Sequence, residues 1–125
     1  MPSILIVEAD PVMRPTLCDL LTLEGYEVRA ARSGQEALRQ LERHPTDLVI
    51  TDFILPEMNG LDLLKALRAD ARWGDTPVLM FTSTADPVVR AQVMEAGADD
   101  FLLQPITVQD LLLTVRRRLF RSDLP

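Results

Sequence analysis

A chain of 125 residues, 47% hydrophobic and 26% charged, has the size and balance of one compact domain, expected to span residues 1–125. Its net charge of −6 argues against direct nucleic-acid binding, which needs a basic surface, and no apolar stretch approaches the roughly 20 residues that cross a bilayer. The lone cysteine, Cys18, excludes an internal disulfide, and with no signal-peptide pattern at the N-terminus the expected compartment is the cytoplasm.

Strand and helix patterns alternate five times. Ile4–Val7 is a continuous run of β-branched residues and leucine, the pattern of a parallel strand covered on both faces. Leu17, Leu20 and Leu21 mark a first helix stopped at Gly25. Pro11 and Pro15 cannot both fit its undistorted first turns, so it is expected to start late, near Arg14, or to be irregular there. Glu27–Ala31 is a weaker, more polar strand that suits a sheet edge. Ser33 and Glu36 make a capping box for a second helix through Arg43. A second continuous strand, Leu48–Thr51, is followed by a helix marked by Leu61, Leu64 and Leu67. The strand Val78–Phe81 leads to a helix capped at Asp86, with Pro87 in its first turn and Gly97 at its end. Phe101–Leu103 is the last strand, and Thr107 and Asp110 open a helix with apolar positions Leu111, Leu112, Val115 and Leu119.

This alternation predicts a three-layer α/β fold, (βα)5, with a parallel five-stranded sheet in the flavodoxin-like order 2-1-3-4-5. In that order the first and third strands are neighbours at the switch point, where crevices form. Glu8 and Asp10 follow the first strand and Asp52 the third, so their carboxylates are expected in one pocket. Thr82 and Gln104, after the fourth and fifth strands, belong to the same edge. Asp10 stands before Pro11 and also reads as a helix cap.

The segments ILIVEADPVMR, TDFILPEMNGLDLL, PVLMFTSTAD and GADDFLLQPIT resemble those of the response-regulator receiver domain of two-component signalling, over essentially the whole chain and in order. The resemblance implies that Asp52 is the phosphoacceptor and that Thr82 bonds the phosphoryl oxygen. It further implies that Phe101 is the aromatic that changes rotamer on activation, and that Pro105 follows the family's lysine, often through a cis peptide bond. Pro56 and Gly60 match the loop after the acceptor. It implies a magnesium site at Glu8, Asp10, Asp52 and the Ile54 carbonyl. A histidine kinase or phosphotransfer protein would be the upstream partner. The fourth helix, fifth strand and fifth helix would form the face for a downstream protein, or for a homodimer.

Two positions depart from the family. Ala9 stands where the second acid of the pair binds the metal directly, and Gln104 replaces the lysine that pairs with the acceptor. A unit charge pair about 5 Å apart at an effective dielectric near 20 attracts by ~3 kcal/mol, which a glutamine amide does not supply. The expectation is a non-enzymatic signalling domain with weakened magnesium binding and impaired phosphotransfer. The alternative is a pseudo-receiver that binds proteins independently of phosphorylation. An α/β phosphohydrolase with Asp52 as nucleophile would want an acid at position 54, which is isoleucine. No glycine-rich phosphate loop, paired-cysteine metal motif or nucleophile elbow is present. Arg116, Arg117, Arg118 and Arg121 read as a solvated helix end, and Trp73 and His44 as residues without a chemical role.

Overall fold

The computed structural model describes residues 1–120. Its elements are β1 (Ser3–Val7), α1 (Met13–Leu23), β2 (Glu27–Ala31), α2 (Gly34–Arg43), β3 (Leu48–Thr51), α3 (Gly60–Ala69), β4 (Val78–Thr82), α4 (Pro87–Glu95), β5 (Asp100–Leu103) and α5 (Val108–Leu119). The sheet is fully parallel in the order β2-β1-β3-β4-β5. The continuous apolar strands β1, β3 and β4 are buried at every residue, while the polar β2 lies at an edge. Successive strand residues point to opposite faces, so the sheet builds two cores. Leu5, Val7, Val49 and Met80 pack with α2, α3 and α4. Ile4, Ile6, Ile50 and Phe81 pack with α1 and α5.

Local signals account for the helix ends. Gly25 and Gly97 take positive φ after α1 and α4, the conformation that favours glycine there. Asp86 caps α4 by accepting from the Val88 amide, and Thr107 caps α5 by accepting from that of Asp110. The capping box expected at α2 is half made. Ser33 accepts from the Glu36 amide, but the Glu36 carboxylate accepts from the Arg32 amide rather than the Ser33 amide. A complete box, unmarked in the sequence reading, joins Asn59 and Asp62 at the start of α3. Helix α1 begins at Met13, which places Pro15 in its first turn, where no intrahelical donor is needed.

The far end of the sheet is tied by Arg68. Its guanidinium donates to the carbonyls of Gly74, Thr76 and Gly97 and to the Asp99 carboxylate, which also accepts from the Val78 amide. Arg118 pairs with Asp100 and donates to the Asp99 carbonyl, pinning the last turn of α5 to β5. Arg121 lies outside the described residues.

One glycine sets how closely α3 approaches the end of β3. The Gly60 amide donates to the Phe53 carbonyl at 2.7 Å. A Cβ on Gly60 would collide with the Asp52 carbonyl oxygen and lie 2.8 Å from both the Phe53 Cα and the Met80 Sδ. Two of those neighbours are backbone and cannot swing aside. Gly60→Ala is therefore expected to destabilise the chain by about 1–3 kcal/mol in urea unfolding and to shift the Asp52 amide resonance. An unchanged midpoint would show that the loop gives way freely.

Candidate functional site

The parallel register places the acidic residues before any side chain is considered. Val7 of β1 pairs with Thr51 of β3, so the next residues, Glu8 and Asp52, leave the sheet side by side. Backbone bonds hold both: the Glu8 amide donates to Ala31 O and the Asp52 amide to Val7 O, each at 3.0 Å. A cavity of about 340 Å³ opens there, lined by Glu8, Ala9, Asp10, Met13, Asp52, Ile54, Ser83 and Gln104. The three carboxylates and Gln104 thus share one space, as the sheet order requires. Among the described lining residues there is no lysine, arginine or histidine.

The three acids differ in their commitments. Glu8 is 4% exposed and accepts from the Asp10 amide at 3.1 Å. Burial, followed by the charge and hydrogen-bonding contact of Asp52, raises its carboxyl from the ordinary 4.5 to about 7. Asp52 accepts from the Ile54 amide at 3.0 Å. Asp10 accepts from the amides of Val12 and Met13 at 2.8 and 3.3 Å, and those two bonds, helped by Arg14, hold its carboxyl below its ordinary value. Asp10 thus holds the turn that leads into α1 while it still borders the cavity.

Glu8 and Asp52 bring two carboxylates to one cavity with Ile54 beside them, a partial ligand set of the kind a divalent ion completes with water. Ala9 offers only its carbonyl, which already accepts from the Arg14 guanidinium at 3.2 Å. No group of three acidic, histidine or cysteine side chains among the described residues is arranged to hold a metal.

Thr82 is completely buried, and its hydroxyl accepts from the Thr84 amide at 3.3 Å. Ser83, absent from the sequence reading, lines the cavity instead. Phe101 packs against the core with the Arg90 guanidinium of α4 5.5 Å from its ring centre. The Gln104 amide nitrogen of the backbone donates to Thr82 O at 2.8 Å, and the Gln104–Pro105 peptide bond is cis. Two further residues were missed. Met13 lines the cavity from α1, and Arg14 donates to the carbonyls of Glu8 and Ala9. Helical spacing marks Met13 and Arg14 only as α1 residues, so sequence carried no signal for either role.

Glu8 makes stability depend on pH. The folded chain keeps the Glu8 proton up to about pH 7, whereas the unfolded chain releases it near 4.5. Between those values the folded state binds more protons, so stability from this group is full below 4.5 and is lost as pH rises through 7. Urea unfolding should show a loss on the order of 2 kcal/mol between pH 5 and pH 8. Glu8→Gln should flatten that slope, and an equal slope in both proteins would place the titration elsewhere.

Comparison with known proteins agrees with this geometry. Residues 4–116 match the model of the response regulator receiver domain. The transcriptional regulatory protein KdpE of Mycobacterium tuberculosis is 34% identical over 122 residues, which are 98% of this chain and 53% of that protein. The chain thus spans about half the length of that relative. The signal receiver domain of a signal transduction histidine kinase from Syntrophus aciditrophicus superposes with a TM-score of 0.91 at 34% identity, covering 100% of this chain and 95% of that one. The receiver domain of the sensor histidine kinase PA1611 from Pseudomonas aeruginosa, crystallised with magnesium in its active-site cleft, superposes at 0.86 with 28% identity, covering 94% and 97%. No helix among the described residues is long and apolar enough to cross a membrane. The sheet order, the acidic cavity at its carboxyl edge and the match across 4–116 together make this chain a member of the response-regulator receiver family.

Proposed function

We propose that this chain is a receiver whose acceptor, Asp52, takes a phosphoryl group slowly or weakly because its cavity lacks positive charge. The observation that carries this reading is the cavity lining: three carboxylates, and no basic side chain among the described residues. A histidine kinase or phosphotransfer protein is the proposed donor. Phosphorylated Asp52 would carry close to two negative charges, in place of one, beside Glu8 and Asp10. Phosphoryl transfer depends on positioning and charge neutralisation, and a magnesium ion when bound supplies part of that charge. Glu8, Asp52 and the Ile54 carbonyl are the groups proposed to hold it, with affinity reduced by Ala9. Gln104 contributes a hydrogen-bond donor at the cavity edge but no charge.

Output is proposed to pass through α4, β5 and α5, which expose Val88, Met94, Leu103 and Leu113 by 60, 40, 44 and 53%. Apolar side chains of this kind fit a protein partner or a second copy, and the net charge of −6 does not favour nucleic acid. We read the domain as a switch or binding module rather than an enzyme. The pseudo-receiver reading is favoured by the same carboxyl pair: burial and the neighbouring Asp52 raise the Glu8 carboxyl to about 7, so a proton can take part of the neutralising role of an ion.

Acetyl phosphate with magnesium, followed by intact-mass measurement, tests the assignment. The natural chain is expected to gain little or no phosphoryl mass. The double variant Ala9→Asp, Gln104→Lys is expected to react roughly 10- to 100-fold faster, and Asp52→Asn in that background to abolish the gain. Rapid stoichiometric phosphorylation of the natural chain would overturn the impaired-receiver reading. A double variant that stays inert would remove the charge deficit as its cause.

A further inference from the structure

β1 ends at Val7 and α1 begins at Met13, so the carbonyls of Glu8 and Ala9 fall between the sheet and the helix and need partners of their own. Arg14 supplies both, its guanidinium Nη1 donating to Glu8 O at 3.0 Å and to Ala9 O at 3.2 Å. Its backbone amide takes the next carbonyl, Asp10 O, at 3.0 Å. Three consecutive carbonyls thus accept from one residue. The Glu8 amide is anchored as well, to Ala31 O. A peptide unit is planar, so one bonded carbonyl or amide fixes the whole plane. Glu8, Ala9 and Asp10 each sit between two planes anchored in this way, which sets their φ and ψ and with them their Cα–Cβ directions. Glu8 and Asp10 line the acidic cavity, whereas Arg14 is not among its lining residues and acts from outside it.

We propose that Arg14 is a positioning residue for the acidic cavity: by taking the carbonyls of residues 8–10 it holds the Glu8 and Asp10 carboxylates in the arrangement that a divalent ion meets. This rests on the reading of Glu8 and Asp52 as groups that hold the ion. The loop runs Glu-Ala-Asp-Pro-Val from residue 8 to residue 12, so with alanine between them Glu8 and Asp10 are its two carboxylates. The backbone that aims them therefore matters more than it would beside a further acid. Positioning and charge act here with opposite signs. A guanidinium near the cavity repels a divalent cation, so by Coulomb's law alone its removal would tighten binding. As the anchor of the loop it does the reverse. Without the Nη1 bonds the peptide planes after Glu8 and Ala9 are released, and an ion must order the carboxylates before it gains from them.

Magnesium titration of the whole chain, followed through the nuclear magnetic resonance signals of Asp52 and Ile54, tests this role together with amide hydrogen exchange in the absence of metal. Arg14→Met keeps the stem of this half-buried side chain and removes its charge and donors. Arg14→Lys keeps the charge without the guanidinium geometry. Loss of groups that hold metal ligands in place costs roughly 10- to 100-fold in affinity, so both variants should bind magnesium roughly tenfold or more weakly than the natural chain. Without metal, the Asp10 amide, which donates to Glu8 Oε2, should exchange roughly tenfold faster in Arg14→Met, while the Ile6 amide of β1 keeps its natural rate. Should Arg14→Met fail to fold, Arg14→Lys alone decides the comparison. Tighter binding by Arg14→Met with natural affinity in Arg14→Lys would reduce Arg14 to a nearby charge. Unchanged affinity and exchange would reduce it to a part of α1. Either result overturns the proposal. So does a natural chain whose signals do not respond to magnesium, which leaves the impaired-receiver reading standing. Rapid phosphorylation of the natural chain would remove that reading and leave the role of Arg14 intact.

Discussion

Two carboxyl groups leave adjacent parallel strands at the same height, and one of them is buried. Everything at the carboxyl edge of this sheet answers to that fact. The pairing of Val7 with Thr51 puts Glu8 beside Asp52 whatever the side chains prefer. Burial and the neighbouring charge then make a doubly ionised pair unfavourable, so Glu8 holds its proton to about pH 7. A proton or a divalent ion can each relieve the same excess. Arg14, beside the cavity, is committed to the carbonyls of Glu8 and Ala9. It bonds the loop rather than the carboxylates. The cavity therefore remains an anionic space whose neutralisation comes from outside the chain.

How much of this the sequence disclosed follows from the range of each interaction. The sheet order was legible because continuous apolar runs separated by helical periods admit few right-handed windings. Asp52 and Glu8 were legible as partners because strand ends inherit their position from that order. Side-chain direction was not. Asp10 had two readings, pocket acid and cap, and the sequence could not choose between them: it bonds the amides of Val12 and Met13 and also borders the cavity. Thr82 and Ser83 divide two roles between adjacent positions, one hydroxyl bonding backbone and the other side chain lining the cavity. Alternation along a strand makes that division sensitive to where β4 ends. The box at α2 misled for a related reason: Glu36 had two backbone amides in reach and took that of Arg32. The residues Asn59 and Asp62 carried the same signal more faithfully, though neither is a serine, threonine, glutamate or glutamine.

The two edges of the structure are held with unequal firmness. At the amino edge, Arg68 and Arg118 join α3, α5, β5 and two connecting turns through charge-assisted bonds to carbonyls and carboxylates. At the opposite edge, α4 buries Val93 alone among its residues. Hydrophobic burial is the main term holding a helix to a sheet, so α4 is the least costly helix to displace. Its C-terminal junction nevertheless carries the Arg68 bonds at Gly97 and Asp99. Displacement is thus cheapest at the N-terminal end of α4, which follows Ser83 at the cavity wall.

Arg90 lies along that helix, over the ring of Phe101 in β5. A cation–π contact at an exposed site is worth about 0.5–1 kcal/mol, comparable to the cost of a single off-rotamer side chain. It is a contact of the same order as the energies that separate side-chain rotamers. The chain from Ser83 through α4 to Phe101 therefore joins a charge-dominated cavity to an apolar outer face through contacts of small energy. The two cores fix the cavity, and α4, with Val93 as its buried residue, is the helix beside it that hydrophobic burial holds least.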